Sequence, residues 1–394
     1  MIASGPNGEL DGICQPGELT DKGRSTTLAL GQRLRHLYIE QLHFMPPLIS
    51  ASDIIYLRAT PVPRAIESLQ QAFTGLYPPD TRAAGFPPPT IIVRAPADET
   101  LFPNDASCRR FAQLARAFAA RSAQTWNATD DMKYLSSMLS SYMPNGADVA
   151  VDSRPRLSGI MDTLNATDAH GPATKLPNAF YDPKARAIID KIAVEEWFKG
   201  YTESTEYRML GIGGLMGDIT GRMTASARQS VDSQGGATAI KFAMSGCHDT
   251  TLAGILSSLG AFEGENWPPF TSHIAFELFK NKPGNPSTTP LPQASPLQAQ
   301  PSSFAPTARQ SWWSGFFGTS PVVSPPSVSL ARKPIKELTP AQRDELSGYY
   351  VRIRYNDKIM QVPGCKAAGS HLDGDTTFCT LVRLLLPLPS HTLG

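Results

Sequence analysis

Two short apolar runs each end in a charged turn that leads into helical sequence: Ile54 to Arg64, and Phe242 to Thr251. A continuous apolar run of this length is the signature of a strand buried on both faces, and a strand that feeds a helix is the repeating unit of a parallel α/β sheet. Ligands in open sheets of this kind sit beyond the carboxyl ends of the strands. That places Arg58, Arg64, His248 and Asp249 as the candidate site residues. Six residues apart across a proline-containing turn, the two arginines can address one anion, because a guanidinium fork matches phosphate bidentately. An imidazole and a carboxyl at the start of a helix suit phosphate binding and proton delivery. The local alternatives are ion pairs for the arginines and a helix cap for Asp249 or Thr250. Taken together, the two segments point to an oxyanion site and to a phosphate ester as substrate.

The rest of the chain fits an α/β core with insertions. Residues 20–44 read as a helix with Asp21 in its first turn, stopped by Pro46-Pro47. Residues 53–57 and 90–93 read as strands, with a helix starting at Pro63 between them. Between about 100 and 235 the pattern turns helical, at 107–122, 131–142, 183–199 and 207–228. Strand 241–244, helix 249–259 with Gly260 as its stop, and strands 272–279, 349–355 and 358–362 follow. The organisation predicted is a first core part (1–100), a helical cap insertion (101–235), a second core part (236–282), a Pro/Ser-rich disordered insertion (283–335), C-terminal core strands (336–381) and an atypical tail (382–394). Trp312-Trp313 and Phe316-Phe317 in the insertion form a candidate docking motif, or a sticky accident of low-complexity sequence.

Composition excludes several classes. With 36 basic and 35 acidic residues, no overall field favours nucleic acid or an anionic membrane surface. No run reaches the roughly 20 apolar residues of a membrane span. Met1 to Gly5 lacks the features of a signal peptide, so the chain as given reads as soluble with its location open. Five cysteines are too few for a disulfide framework or a zinc cluster, and neither metal nor cofactor is predicted. Cys365 and Cys379 could pair in an oxidising compartment.

In ordered combination, several stretches resemble the histidine acid phosphatases of the histidine phosphatase superfamily, a branch that includes fungal acid phosphatases, phytases and lysophosphatidic acid phosphatases. They are Leu19-Thr20-Asp21-Lys22-Gly23 with its helix, Leu57 to Ser68, Ser245 to Thr251, Phe276-Glu277-Leu278 and Gly348 to Arg352. The resemblance implies a phosphoglycerate mutase-like three-layer α/β sandwich, with a mostly parallel central sheet and a helical cap. It implies that Arg64 binds phosphate with Arg58 beside it in support, that His248 stabilises the phosphoryl group, and that Asp249 protonates the leaving alcohol. Phosphoryl passes in that family to a histidine nucleophile, and water then hydrolyses the phosphohistidine without a metal. A small phosphomonoester is the implied substrate, with lysophospholipids among the candidates.

The chain departs from the family where the nucleophile belongs. The family's Arg-His-Gly-x-Arg-x-Pro motif follows the first central strand, and this chain starts after the corresponding point. None of His36, His43, His170, His273, His371 and His391 replaces it. The expectation is therefore a missing first central strand, exposed sheet edges, and a chain that is poorly soluble or inactive as written. A non-catalytic phosphate-ester-binding protein is the alternative. The glycines of 211–217 read as a packing face with Leu210, Leu215 and Met216 in the core, because neither a preceding strand nor a following Gly-Lys-Ser/Thr supports a nucleotide loop.

Overall fold

The computed structural model describes residues 17–103, 105–229, 240–281 and 337–384. Helix α1, Asp21–Arg35, is capped by Thr20, whose hydroxyl accepts from the Gly23 N–H at 3.0 Å. It passes into one π-helical turn, His36–Gln41, so regular α-helix ends earlier than the periodicity suggests. Helix α2, Pro63–Leu76, opens on proline and lies against α1. Glycines set how close these two helices come: a Cβ on Gly31 would stand 2.0 Å from the Ala72 carbonyl oxygen, and one on Gly75 2.2 Å from that of Leu28.

Strands β1 (Ile55–Ala59), β2 (Ile91–Val93) and β3 (Phe242–Gly246) form a parallel sheet in the order β2-β1-β3. β1 starts two residues later than its apolar run, because a turn at Ser52 takes the Ile55 N–H. It therefore extends through Arg58, which pairs in register with Ser245, while Ala59 pairs with Gly246. Sequence placed Arg58 beyond the strand; the structure places it within the sheet.

Six helices follow: α3 (Arg109–Trp126), α4 (Asp130–Leu139), α5 (Leu157–His170), α6 (Pro183–Glu203), α7 (Thr205–Gly211) and α8 (Gly213–Gln229). The single helix expected over 207–228 is two, broken at Ile212 (φ −128°, ψ −8°). Leu215 is buried there as expected, but Leu210 is exposed. Helix α9, Asp249–Ser258, follows β3, and Gly260 (φ +69°) lies just beyond it.

Strand β4 (Ile274–Lys280), helix α10 (Pro340–Glu345), strands β5 (Tyr349–Tyr355), β6 (Lys358–Met360), β7 (His371–Leu372) and β8 (Asp375–Thr380), and helix α11 (Leu381–Leu384) complete the chain. Their strands form an antiparallel sheet, β4-β5-β8-β7, with β6 on β5. Cys365 and Cys379 are bonded across 14 residues, and each is 1% exposed. The Pro/Ser-rich insertion with its paired aromatics lies outside the described residues, as does most of the tail. Among the described residues β3 pairs only with β1, and β4 only with β5. Tyr38 spans the two sheets: its ring lies 5.2 Å from that of Phe242, and its hydroxyl donates to Glu277 at 2.8 Å.

One apolar core lies between α1, α2 and the parallel sheet, around Leu34, Ile49, Leu57 and Leu76. The larger one joins the helical region to α9 and the antiparallel sheet through Leu135, Ile192, Leu256 and Val351. The carboxyl ends of β1 and β3 thus open between an α/β layer and a helical one.

Candidate active site

The in-register ends of β1 and β3 bring the two sequence segments together. Thr60 N–H donates to the Gly246 carbonyl at 3.1 Å, and Thr60 Oγ1 meets His248 Nε2 at 3.0 Å. The crossing is close enough that a Cβ on Gly246 would stand 2.3 Å from the Ala65 carbonyl oxygen, in the first turn of α2. Arg64 leaves that turn exposed. Its one described hydrogen bond, 3.4 Å to the Gly17 carbonyl, commits little of the guanidinium fork.

His248 is half-buried at the N-cap of α9, with the Phe102 ring 5.9 Å away. Burial, reinforced by the Arg64 cation, holds its imidazole below the ordinary histidine range; Asp249 and Glu99 oppose that shift. Asp249 is the first residue of α9. Its Oδ1 accepts from the Thr250 N–H at 2.7 Å and its Oδ2 from the Trp267 indole N–H at 2.8 Å.

Arg58 serves a different part of the site. It is 2% exposed, and its guanidinium donates to Glu99, to Asp218 at 3.0 Å and to Thr100 at 2.8 Å. Glu99 in turn accepts the N–H groups of Thr100 and Leu101, both at 2.7 Å. Burial pushes the Asp218 carboxyl up, but hydrogen bonds from Thr100, Arg94 and Arg58 bring it below its usual range. This buried network fixes the 99–102 loop under the site, and Leu101 accepts the Thr251 hydroxyl at 2.5 Å from the first turn of α9. The two terminal nitrogens of Arg58 are thus spent on carboxylates and a hydroxyl, its Nε is buried without a partner, and among the described residues Arg64 is the exposed cation at these strand ends.

Helix α5 adds Asp162. Although its tip meets solvent, surrounding atoms raise its carboxyl above the usual range; Asp249 adds to that rise and Arg64 opposes it. Asp162 therefore lies within electrostatic reach of both. Thr60 stands just beyond the end of β1 and is discoverable by the argument that finds Arg64, whereas Glu99 follows β2 only after a 3-10 turn at Pro96–Asp98. No sequence signal marks Asp162, Asp218 or Trp267, which arrive from remote elements. Of the other histidines, His170 is exposed at the end of α5, His36 pairs with Glu40 at 3.1 Å, and His273 and His371 belong to the antiparallel sheet region. Among the described residues no group of three His, Cys, Asp or Glu side chains is placed to hold a metal ion. A groove of about 770 Å³ lined by Arg35, Ile39, His43, Ile54 and Lys241 lies at the opposite, amino ends of β1 and β3.

The family model described as histidine phosphatase superfamily (branch 2) matches residues 6–290. The chain belongs to this family. This branch-2 histidine phosphatase is 36% identical over 398 residues to a probable acid phosphatase of Schizosaccharomyces pombe, covering 97% of the chain and 77% of that protein. It is 26% identical over 270 residues to lysophosphatidic acid phosphatase type 6 of Pongo abelii, covering 67% of the chain but only 57% of the relative. In fold it is similar to the apo form of Hafnia alvei phytase, with a TM-score of 0.53 at 12% identity over 94% of the chain and 86% of that structure. The α/β fold read from the sequence is the fold observed. No described helix is long and apolar enough to cross a membrane.

Proposed function

We propose that the protein hydrolyses phosphomonoesters, with Arg64 and His248 holding the phosphoryl group and Asp249 giving a proton to the departing alcohol. One observation carries this reading: an exposed guanidinium, an imidazole and a carboxyl lie within electrostatic reach of one another where two parallel strands end. Cationic and N–H donors aimed at phosphoryl oxygens stabilise the charge that builds in the transition state. In the branch-2 reaction a histidine attacks phosphorus, the bond to the alcohol oxygen breaks, and the acid protonates that oxygen; water then cleaves the phosphohistidine. The probable acid phosphatase and the lysophosphatidic acid phosphatase among its relatives support a monoester substrate, lysophospholipids included.

A second reading, phosphate-ester binding without turnover, rests on the same exposed Arg64 and on His248 at the strand ends and asks no proton transfer of Asp249. Hydrolysis of p-nitrophenyl phosphate, with acid quenching to trap phosphohistidine, separates the two. Arg64→Ala is expected to lower turnover by about 10²-fold or more, the scale of a lost oxyanion donor. Binding of phosphate that needs Arg64, with no turnover and no trapped phosphohistidine, selects the second reading. Phosphate affinity unchanged in both Arg64→Ala and His248→Ala refutes both.

A further inference from the structure

We propose that Trp267 is the positioning residue for the proton donor, its indole N–H fixing the carboxyl of Asp249 toward the leaving oxygen. The inference rests on the hydrolase reading above and adds a residue to it. Indole N–H is a donor only, and it lies 2.8 Å from Asp249 Oδ2. The ring that carries it is 9% exposed and packs on α6, its centroid 4.9 Å from Phe198 and 6.0 Å edge-on from Trp197. The backbone N–H of the same residue donates to Asp190, also on α6, at 3.1 Å. Trp267 is therefore anchored to the helical layer by both its ring and its backbone, and holds a carboxyl that belongs to the α/β layer.

The tether answers a specific problem. Asp249 stands among charged and titratable neighbours from every side: Arg64 on α2, Asp162 on α5, and Cys247 and His248 in its own turn. The cation draws the carboxyl and the second carboxylate repels it, so its orientation would follow whichever is nearer. Held by the Thr250 N–H on one oxygen and the indole on the other, the carboxyl plane is fixed by neutral donors. A general acid has to lie within hydrogen-bond reach of the oxygen it protonates.

Trp267→Phe keeps an aromatic ring in the α6 packing and removes the N–H together with the second ring of the indole. The test compares kcat/KM for glycerol 2-phosphate, whose alkoxide leaves only with a proton, with that for p-nitrophenyl phosphate, whose leaving group departs as a stable anion. In the full protein the alkyl-to-aryl ratio is expected to fall at least about tenfold in Trp267→Phe, part of the 10² to 10⁴ that general acid catalysis contributes, and further in Asp249→Asn. Equal losses on both esters would mean a purely structural tryptophan and overturn the proposal. A second readout needs no turnover: in 15N-tryptophan-labelled protein, the indole resonance lost in Trp267→Phe is expected to shift in Asp249→Ala more than any other indole resonance. An unmoved resonance refutes the contact. Absence of turnover on either ester refutes the hydrolase reading and the proton-delivery role with it, whatever the indole resonance does.

Discussion

The buried network under the site makes a quantitative prediction about Arg58. Its side chain is 3% exposed and that of its partner Glu99 is not exposed at all. Removing one member of a buried, hydrogen-bonded ion pair costs about 3–5 kcal/mol, because the other charge is left in a low-dielectric site. After Glu99→Leu the guanidinium keeps Asp218, but that carboxylate is shared with Arg94 at 2.8 Å. The low end, about 3 kcal/mol, therefore applies. Arg58→Met is expected to cost a similar amount, since Glu99 retains only the Thr100 and Leu101 N–H groups. The double variant buries no uncompensated charge of this pair and should cost far less than the two singles combined, a coupling of about 2–3 kcal/mol. Urea unfolding of the four proteins measures it. Sulfate, a dianion throughout the relevant pH range, then tests function by calorimetry. If Arg58 supports the site without touching the ligand, the double variant binds sulfate within about threefold of the parent, a difference of well under 1.4 kcal/mol, while Arg64→Ala does not. Additive stability losses, or sulfate binding lost in the double variant as fully as in Arg64→Ala, would refute the assignment of Arg58 to the supporting network.

Two further outcomes concern the disulfide and His248. The bond between Cys365 and Cys379 closes a loop over 14 residues. Replacing both with alanine should destabilise by about 3 kcal/mol on loop-closure entropy, read as a lower urea midpoint that reductant no longer changes. His248 is held below the usual histidine range in the folded protein, chiefly by burial. The unfolded chain thus takes up its proton first, and the contribution of His248 to stability, complete above about pH 6.5, is lost as pH falls through that value toward the folded one. The urea midpoint should drop between pH 7.5 and 5.5, less so in His248→Gln and less so in saturating sulfate, whose charge compensates the imidazolium. An equal drop in all three conditions would count against it.

Much of the fold is written locally. Helix α2 begins at the predicted Pro63 because proline suits a first turn, and β5 has the predicted boundaries because apolar and polar residues alternate along it. The single helix predicted over 207–228 is two because glycines on both sides of Ile212 permit a break that periodicity cannot register. The site was half legible. Arg64, His248 and Asp249 stand where strand ends must converge, so their meeting follows from topology. Arg58 was misplaced by the two-residue offset of β1, which turns a residue at the rim into one inside the sheet. Trp267 and Asp162 reach Asp249 from 18 and 87 positions away in sequence, a proximity set by packing of the helical layer that single-residue patterns do not encode.

The long excursion between β4 and β5 departs and returns at neighbouring points. Lys280 and Tyr349 face each other across the ladder, and the Asn281 N–H donates to the Gly348 carbonyl at 2.7 Å. The two strand ends are therefore held together by backbone bonds on the sheet itself. The pairing of β4 with β5 at this point belongs to the two strands themselves and not to the chain that joins them.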